Sequence, residues 1–222
     1  MKYLLFDADQ TLWDFKQTEK IAIAILFNYF NIPNNEEITE KYMSGNNLCW
    51  KEYEEGKLSL DELEIKRWEL FFAKTDLSYN AKEAANLFGK AIAENGILLE
   101  GAEAFLYSIR DLPKALVTNG IARIQRRRLK DTKIEKYFEH IFISDEIGYH
   151  KPQKELFLYI LQKIEKESKD CIMIGDSEKS DIEGALSVNM ESIYFSLDGK
   201  KSALASYCVS SYKELEELIR RI

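Results

Sequence analysis

The chain has 222 residues, of which 45% are hydrophobic and 31% are charged, and its formal net charge is −7. This composition is typical of a soluble globular protein that can bury a substantial core, and it excludes an intrinsically disordered chain. The negative charge disfavours non-specific binding to nucleic acid or to an anionic membrane, so we expect neither as a partner.

The cysteine content and the N-terminal sequence predict where in the cell the protein is located. Cys49, Cys171 and Cys208 lie far apart and show no metal-binding spacing. An odd number of isolated cysteines favours a reducing, cytoplasmic location. The apolar run at the N-terminus ends at Asp7, so we predict no signal peptide, and no stretch approaches the ~20 apolar residues of a membrane span.

The first elements along the chain are a strand and a helical segment. Residues 2–6 predict a short strand. From about residue 16 to residue 94, apolar residues recur at helical spacing, as in TEKIAIAILFNYF, LDELEIKRWELFF and AKEAANLFGKAIA. Ser59 and Asp61 are plausible helix starts, and Asn31 with Pro33 is a plausible helix end. We therefore predict an all-helical segment of four or five helices.

After Gly96 the pattern alternates between strands and helices. The predicted strands are KALVTNG, which ends in a turn, HIFIS, CIMIGD, SIYF and ASYCV, with helices such as KELFLYILQKI, SDIEGALSV and YKELEELIRRI around them. This alternation predicts an α/β fold, a doubly wound, Rossmann-like parallel sheet covered by helices on both faces. We expect residues 1–15 and 97–222 to form this core domain and residues 16–96 to form an inserted helical domain.

Polar side chains follow several predicted strands at the carboxyl ends, where open parallel sheets bind ligands. Each would by itself be an ordinary turn or helix start. Because the loops converge on one edge of the sheet, the residues together predict a functional site. They are, in chain order, Asp7 and Asp9; Thr118, Asn119 and Gly120; Lys151; and Asp176 and Asp181.

The charges of these residues point to a divalent cation. Asp7 and Asp9 are two residues apart and so point to the same side of an extended segment. Two carboxylates about 4 Å apart repel each other by about 4 kcal/mol at an effective dielectric constant of 20. The four aspartates and the lysine carry a formal charge of −3. Mg²⁺, which prefers oxygen ligands, would offset most of this charge and let a phosphate dianion enter.

The order and spacing of these motifs resemble the haloacid dehalogenase-like hydrolase superfamily across the whole α/β portion. The helical insert resembles the helical, C1-type cap domain of that superfamily. The resemblance implies that Asp7 is the nucleophile, which forms an aspartyl-phosphate, and that Asp9 is the general acid and base. It also implies that Asp7, the backbone carbonyl of Asp9 and Asp176 bind Mg²⁺, and that Asp181 holds a metal-bound water or Lys151 in place.

The same resemblance assigns the remaining motif residues. Thr118 and the backbone amides of Asn119 and Gly120 would bind phosphoryl oxygens, and Lys151 would neutralise developing negative charge. Dehalogenases of the superfamily lack an acid two residues after the nucleophile. Asp9 therefore favours phosphate ester hydrolysis over dehalogenation.

A narrower resemblance concerns the substrate. The segments FDADQTLWDF, TNGIARIQRRRL, EIGYHKPQKELF and MIGDSEKSDIEGA are similar to the YjjG-type pyrimidine 5′-nucleotidases, and YMSGNNLCWKEYEEGKLS continues the likeness. The resemblance implies a phosphatase that hydrolyses a small-molecule phosphate ester, a nucleoside 5′-monophosphate. We expect the protein to be a monomer or a dimer. Trp13, Asn46 and Trp50 are candidates to contact the base and sugar.

Two alternative functions stay open, and a third, an inactive binding module that keeps the fold, is disfavoured because all of the core positions are present. A sugar-phosphate phosphatase, a phosphoglycolate phosphatase or a phosphomutase would share the core residues. A phospho-accepting signalling domain also combines Asp, Thr, Lys and Mg²⁺ on a parallel sheet, although its acceptor lies in mid-domain. The basic run RIQRRRLK could contact nucleic acid. We expect it instead to be a solvated helix face with Arg128 held at the edge of the core.

Overall fold

The structure is a computed structural model that describes residues 2–222. The chain divides into two compact units. The segment that ends at Phe15 and the segment Gly96–Ile222 form an α/β unit, and Lys16–Asn95 form a helical unit. Among residues 2–222, every helix is too short or too polar to cross a membrane.

The helical segment contains the helices α1 (Phe15–Tyr29), α2 (Glu36–Glu54), α3 (Leu60–Thr75) and α4 (Ala81–Glu94). Ser59 caps α3, and its side chain and that of Glu62 bond reciprocally to the backbone. This confirms the predicted helix start. α1 ends before Asn31, whose backbone is left-handed with φ of 53°. Aromatic rings fill the interior of the unit; those of Tyr42 and Trp68, for example, stack with centroids 4.7 Å apart.

The α/β unit is built on a parallel sheet with the strand order β3-β2-β1-β4-β5-β6. The strands found in residues 2–222 are β1 (Tyr3–Phe6), β2 (Lys114–Thr118), β3 (His140–Ile143), β4 (Cys171–Gly175), β5 (Glu191–Phe195) and β6 (Tyr207–Val209). This topology confirms the predicted Rossmann-like α/β fold.

Helices cover both faces of the sheet. They are α5 (Ala102–Ser108), α6 (Ala122–Thr132), α7 (Ser144–Ile147), α8 (Lys154–Ile164), α9 (Glu183–Leu186) and α10 (Tyr212–Ile219). Alternate residues of β1 point to opposite faces. Phe6 packs in one core cluster with Phe105 of α5, and Leu5 packs in the other with Phe157 of α8. Every residue of β1, β2 and β4 is buried, as expected for strands covered on both faces.

The strand order positions the polar loops. β1 lies between β2 and β4, and Phe6 is in register with Leu116 on one side and Ile174 on the other. The chain therefore leaves β1, β2 and β4 side by side at one edge of the sheet. Asp7 and Asp176, which follow β1 and β4, enter the same small region.

Candidate active site

Asp7 is held at the tip of β1 by the neighbouring strand. Its backbone N–H donates to the carbonyl oxygen of Ile174 at 2.8 Å, so strand pairing extends to the first residue beyond β1. The side chain of Asp7 is almost entirely buried. A nucleophile at this position has a rigid backbone beneath it, because β1 is a central strand.

Lys151 is the cation at the centre of the site. The residue is 1% exposed. Its Nζ donates to Oδ1 of Asp7 at 2.5 Å, to Oδ1 of Asp181 at 2.7 Å and to the carbonyl oxygen of Val117 at 3.0 Å. A lysine ammonium has three donors, and all three have acceptors here. Lys151 therefore links the loops that follow β1 and β4 to the end of β2.

Asp181 reaches Lys151 from an irregular turn. The chain forms a π-helical turn, Glu178–Ile182, before α9, where the sequence predicted one continuous helix. This turn lets Oδ1 of Asp181 accept from Lys151 while Oδ2 accepts from the backbone N–H of Ser177 at 3.0 Å. A side chain at Gly175 would overlap the Asp181 carboxylate, so the close approach requires glycine. Both oxygens of Asp181 are engaged within the protein.

Asp7, Asp176 and Asp181 form an acidic cluster in which one oxygen from each carboxylate lies within 4.8 Å of the others. Burial raises the pKa of Asp7 well above its usual range, and the attraction of Lys151 offsets only part of this because Asp181 and Asp176 repel the charged form. Burial, followed by repulsion from Asp181, raises the pKa of Asp176 to about 7. The charge of the Lys151 ammonium is thus too small to balance three ionised carboxylates, and the cluster carries excess negative charge.

The donor set fits Mg²⁺. All of the clustered side chains offer carboxylate oxygens, which Mg²⁺ prefers, and neither the imidazole nor the thiolate ligands of softer metals belong to the cluster among residues 2–222. Because Lys151 and Ser177 engage both oxygens of Asp181, Asp7 and Asp176 are the better placed ligands. A divalent cation between them would relieve the repulsion that raises their pKa values.

Thr118 and Asn119 organise the loop after β2. The Asn119 side chain donates from Nδ2 to the carbonyl oxygen of Lys151 at 2.8 Å and accepts at Oδ1 from the Lys151 backbone N–H, also at 2.8 Å. The hydroxyl of Thr118 accepts from the backbone N–H of Gly120 at 3.1 Å. It also accepts from Nε2 of Gln125 at 2.8 Å. The structure thus joins the predicted phosphate-binding residues to Lys151 through Asn119.

The side chain of Asp9 contacts α6 and does not join the acidic cluster. Its Oδ1 accepts from Nη1 of Arg128 at 2.6 Å, and its Oδ2 accepts from Nε2 of Gln125 at 3.0 Å. Arg128 is 1% exposed, in agreement with its predicted place at the edge of the core. The sequence alone does not identify Gln125 or Arg128 as partners of Asp9. The available signal was their i, i+3 spacing directly after the Thr118–Gly120 motif.

The predicted substrate contacts lie in different units. Trp13, in the α/β unit, is fully buried, and its ring lies 4.2 Å from the guanidinium carbon of Arg128. Asn46, in the helical unit, is 3% exposed; its Nδ2 donates to Oε1 of Glu19 at 3.0 Å, and its Oδ1 accepts from Nη1 of Arg67 at 3.4 Å.

Trp50 lies on α2 in the same unit as Asn46. Its ring is partly exposed and packs edge-to-face against Tyr53 at 5.8 Å. Of the three aromatic and amide candidates, Trp50 therefore keeps the largest surface that a ligand could contact, whereas the Asn46 amide already has partners at both ends.

Comparison with known proteins relates this chain to a family. A family model described as haloacid dehalogenase-like hydrolase matches residues 1–189. The pyrimidine 5′-nucleotidase PynA of Streptococcus pneumoniae is 32% identical over 220 residues, which cover 96% of this chain and 93% of that protein. The pyrimidine 5′-nucleotidase YjjG of Escherichia coli is 28% identical, with 98% and 97% covered.

A solved structure agrees over the full length. The crystal structure of the HAD-hydrolase YfnB from Bacillus subtilis, bound to magnesium, superposes with a TM-score of 0.94 and 28% sequence identity. The match covers 99% of this chain and 98% of that chain. Fold and sequence therefore lead to the same group of proteins.

Proposed function

The chain belongs to the haloacid dehalogenase-like hydrolase family, and we propose that it is a Mg²⁺-dependent phosphatase of nucleoside 5′-monophosphates with a preference for pyrimidine nucleotides. The observation that carries the proposal is the acidic cluster of Asp7, Asp176 and Asp181 around Lys151. The likeness to PynA and YjjG supports the choice of substrate. The free cysteines fit a cytoplasmic enzyme, which we expect to be a monomer or a dimer.

In the proposed reaction, Asp7 is the nucleophile and Asp9 transfers the protons. A carboxylate oxygen of Asp7 attacks phosphorus, the bond from phosphorus to the ester oxygen breaks, and Asp9 donates a proton to that oxygen as the nucleoside leaves. Water then attacks the phosphorus of the aspartyl-phosphate while Asp9 accepts its proton. Inorganic phosphate leaves, and the Asp7 carboxylate is restored.

The other residues bind and neutralise charge. Lys151 stabilises negative charge that develops on the phosphoryl oxygens, and Asp181 holds Lys151 in place through the 2.7 Å ion pair. Thr118 and the amides of Asn119 and Gly120 bind phosphoryl oxygens. Asp7, Asp176 and the backbone carbonyl of Asp9 would hold Mg²⁺, which would supply positive charge for the transferring group.

The helical unit supplies specificity in this proposal. Trp50, with its partly exposed ring, contacts the base. Asn46 and Trp13 are the remaining candidates for base and sugar contacts. The engagement of Asn46 with Glu19 and Arg67 and the burial of Trp13 favour an indirect part for both.

A Mg²⁺-dependent phosphate-release assay across nucleoside monophosphates and sugar phosphates tests the proposal. We expect kcat/KM for UMP or dUMP to exceed that for sugar phosphates by at least about tenfold, or about 1.4 kcal/mol of transition-state binding. EDTA and the Asp7→Asn variant are the controls, and both are expected to abolish phosphate release. If sugar phosphates were hydrolysed faster than nucleotides, the result would contradict the nucleotidase proposal and favour one of the alternative phosphatases. A stable phosphoprotein without phosphate release would favour a signalling domain.

A further inference from the structure

We propose that Gln125 and Arg128, on α6, are positioning residues that hold the carboxylate of Asp9 for its proton transfers. The inference rests on the proposed function, in which Asp9 is the general acid and base. It assigns a part in the reaction to a helix that carries neither the nucleophile nor a metal ligand.

The first observation is that the Asp9 carboxylate is held at both oxygens. Nη1 of Arg128 lies 2.6 Å from Oδ1, and Nε2 of Gln125 lies 3.0 Å from Oδ2. The two donors are also bonded to each other, because Nη1 of Arg128 donates to Oε1 of Gln125 at 2.9 Å. A carboxylate with one donor on each oxygen cannot rotate without losing one of them. The arrangement therefore fixes the orientation of Asp9.

The second observation is that Gln125 joins Asp9 to the loop after β2. Its Nε2 donates both to Oδ2 of Asp9 and to Oγ1 of Thr118, at 3.0 and 2.8 Å. The Gln125 side chain lies so close to Gly120 that a side chain at position 120 would overlap its amide. The proton-transfer group and the phosphate-binding loop thus share one side-chain amide, which sets their separation.

The third observation is the burial of Arg128. A guanidinium that is 1% exposed pays a large desolvation penalty, and an apolar side chain would fill the same space at lower cost. Among residues 2–222, its Nε and Nη2 have no hydrogen-bond partner. Its flat face lies 4.2 Å from the Trp13 ring centroid and 5.7 Å from that of Phe15. The ion pair with Asp9 is the interaction that accounts for an arginine here.

The position of Asp9 determines whether it can protonate the leaving group. A general acid must lie within hydrogen-bond reach of the atom that it protonates, and a misplacement of about 1 Å can cost about a hundredfold in rate. The 5′-oxygen of a nucleoside is a poor leaving group and needs a proton, whereas 2,4-dinitrophenolate leaves without one. Loss of Asp9 positioning therefore lowers the rate with UMP more than the rate with 2,4-dinitrophenyl phosphate.

The experiment compares these two substrates in the full-length, Mg²⁺-loaded enzyme. We expect Arg128→Met to lower kcat/KM for UMP by about tenfold or more relative to the loss for 2,4-dinitrophenyl phosphate. Gln125→Leu should change the ratio in the same direction. Asp9→Asn serves as the reference for full loss of the acid. Arg127→Met is the matched control, because Arg127 is exposed on the same helix and pairs with Asp131.

The ratio of the two rates separates the outcomes. A fraction of unfolded enzyme lowers both rates equally and leaves the ratio unchanged. Equal losses in Arg128→Met, or a gain with UMP, would overturn the inference while the ratio shift in Asp9→Asn upholds the proposed mechanism. Equal losses in Asp9→Asn itself would remove the proposed role of Asp9, and the inference with it.

Discussion

Nζ of Lys151 lies 2.5 Å from Oδ1 of Asp7, with both side chains buried beneath the strand tips. Burial by itself would lower the pKa of Lys151, but the carboxylates of Asp181 and Asp7 raise it above its ordinary value. Lys151 is thus a permanent cation in the site. It holds the proposed nucleophile in place but leaves the cluster with excess negative charge, which the proposed Mg²⁺ would offset.

The first prediction concerns removal of this cation. Lys151→Met leaves Asp7 and Asp181 buried without their counter-charge, and loss of one partner from a buried ion pair costs about 3–5 kcal/mol. We expect the free energy of unfolding, measured in urea with EDTA present, to fall by about that amount, and phosphate release to be lost. Lys154→Met is the control because Lys154 is exposed. An equal, small change in both variants would contradict the structure.

The second prediction concerns pH and metal. The folded-state pKa of Asp176 is about 7, against an ordinary value of 3.8, so the metal-free folded protein binds more protons than the unfolded chain between these values. The free energy of unfolding must therefore fall as the pH rises through this range. The proposed Mg²⁺ would bind the ionised carboxylates, so its stabilising effect should grow as the pH rises over the same range.

The measurement is the Tm in excess MgCl₂ and in EDTA, at about pH 5 and about pH 8. We expect the difference in Tm between the two solutions to be small at the lower pH and large at the higher pH. Asp176→Asn, which removes both the titrating group and a ligand, should reduce the difference at the higher pH. A Mg²⁺ effect that is independent of pH would contradict the electrostatics of the cluster.

Apolar runs and their spacing were sufficient to predict most of the fold. The strand KALVT is β2, and the helix KELFLYILQKI is α8, Lys154–Ile164. The helix predicted for SDIEGALSV was wrong in part. The π-helical turn allows Asp181 to contact both Lys151 and the backbone N–H of Ser177. The spacing of apolar residues in the sequence carries no information about these contacts.

The sequence predicted which residues form the candidate site, but it did not predict the side chains that they contact. Position after a strand pointed to Asp7, Lys151 and Asp176, because parallel strands end at one edge. The ion pair between Asp9 and Arg128 joins residues 119 positions apart and depends on how α6 packs against the sheet. The bonds of Asn46 to Glu19 and Arg67 are likewise set by the packing of separate helices.

The third prediction concerns Trp50 and the base of the substrate. Stacking of a base on an aromatic ring contributes about 1–3 kcal/mol, so Trp50→Ala should lower kcat/KM for UMP by about fivefold to a hundredfold, mainly through KM. Turnover of p-nitrophenyl phosphate, which has no base, should change little. Leu48→Ala, which removes an exposed apolar side chain from the same helix, is the control. Equal losses on both substrates would identify Trp50 as a packing residue.

The last prediction tests why residue 175 is glycine. A Cβ at this position overlaps the Asp181 carboxylate, so Gly175→Ala must displace Asp181 from Lys151 or shift the tip of β4. Overpacking of this kind costs about 1–3 kcal/mol, and the displaced Asp181 no longer holds Lys151. We expect a lower Tm together with a lower kcat for p-nitrophenyl phosphate.

Gly45→Ala is the matched control for this substitution. Its Cβ would lie 3.5 Å from Cβ of Leu70, an ordinary contact, and Gly45 is inside α2. Alanine in a helix interior is favoured over glycine by up to about 1 kcal/mol, so this variant should keep or raise the Tm with unchanged kcat. If Gly175→Ala behaved like Gly45→Ala, the tight contact between residue 175 and Asp181 would have no part in holding Lys151.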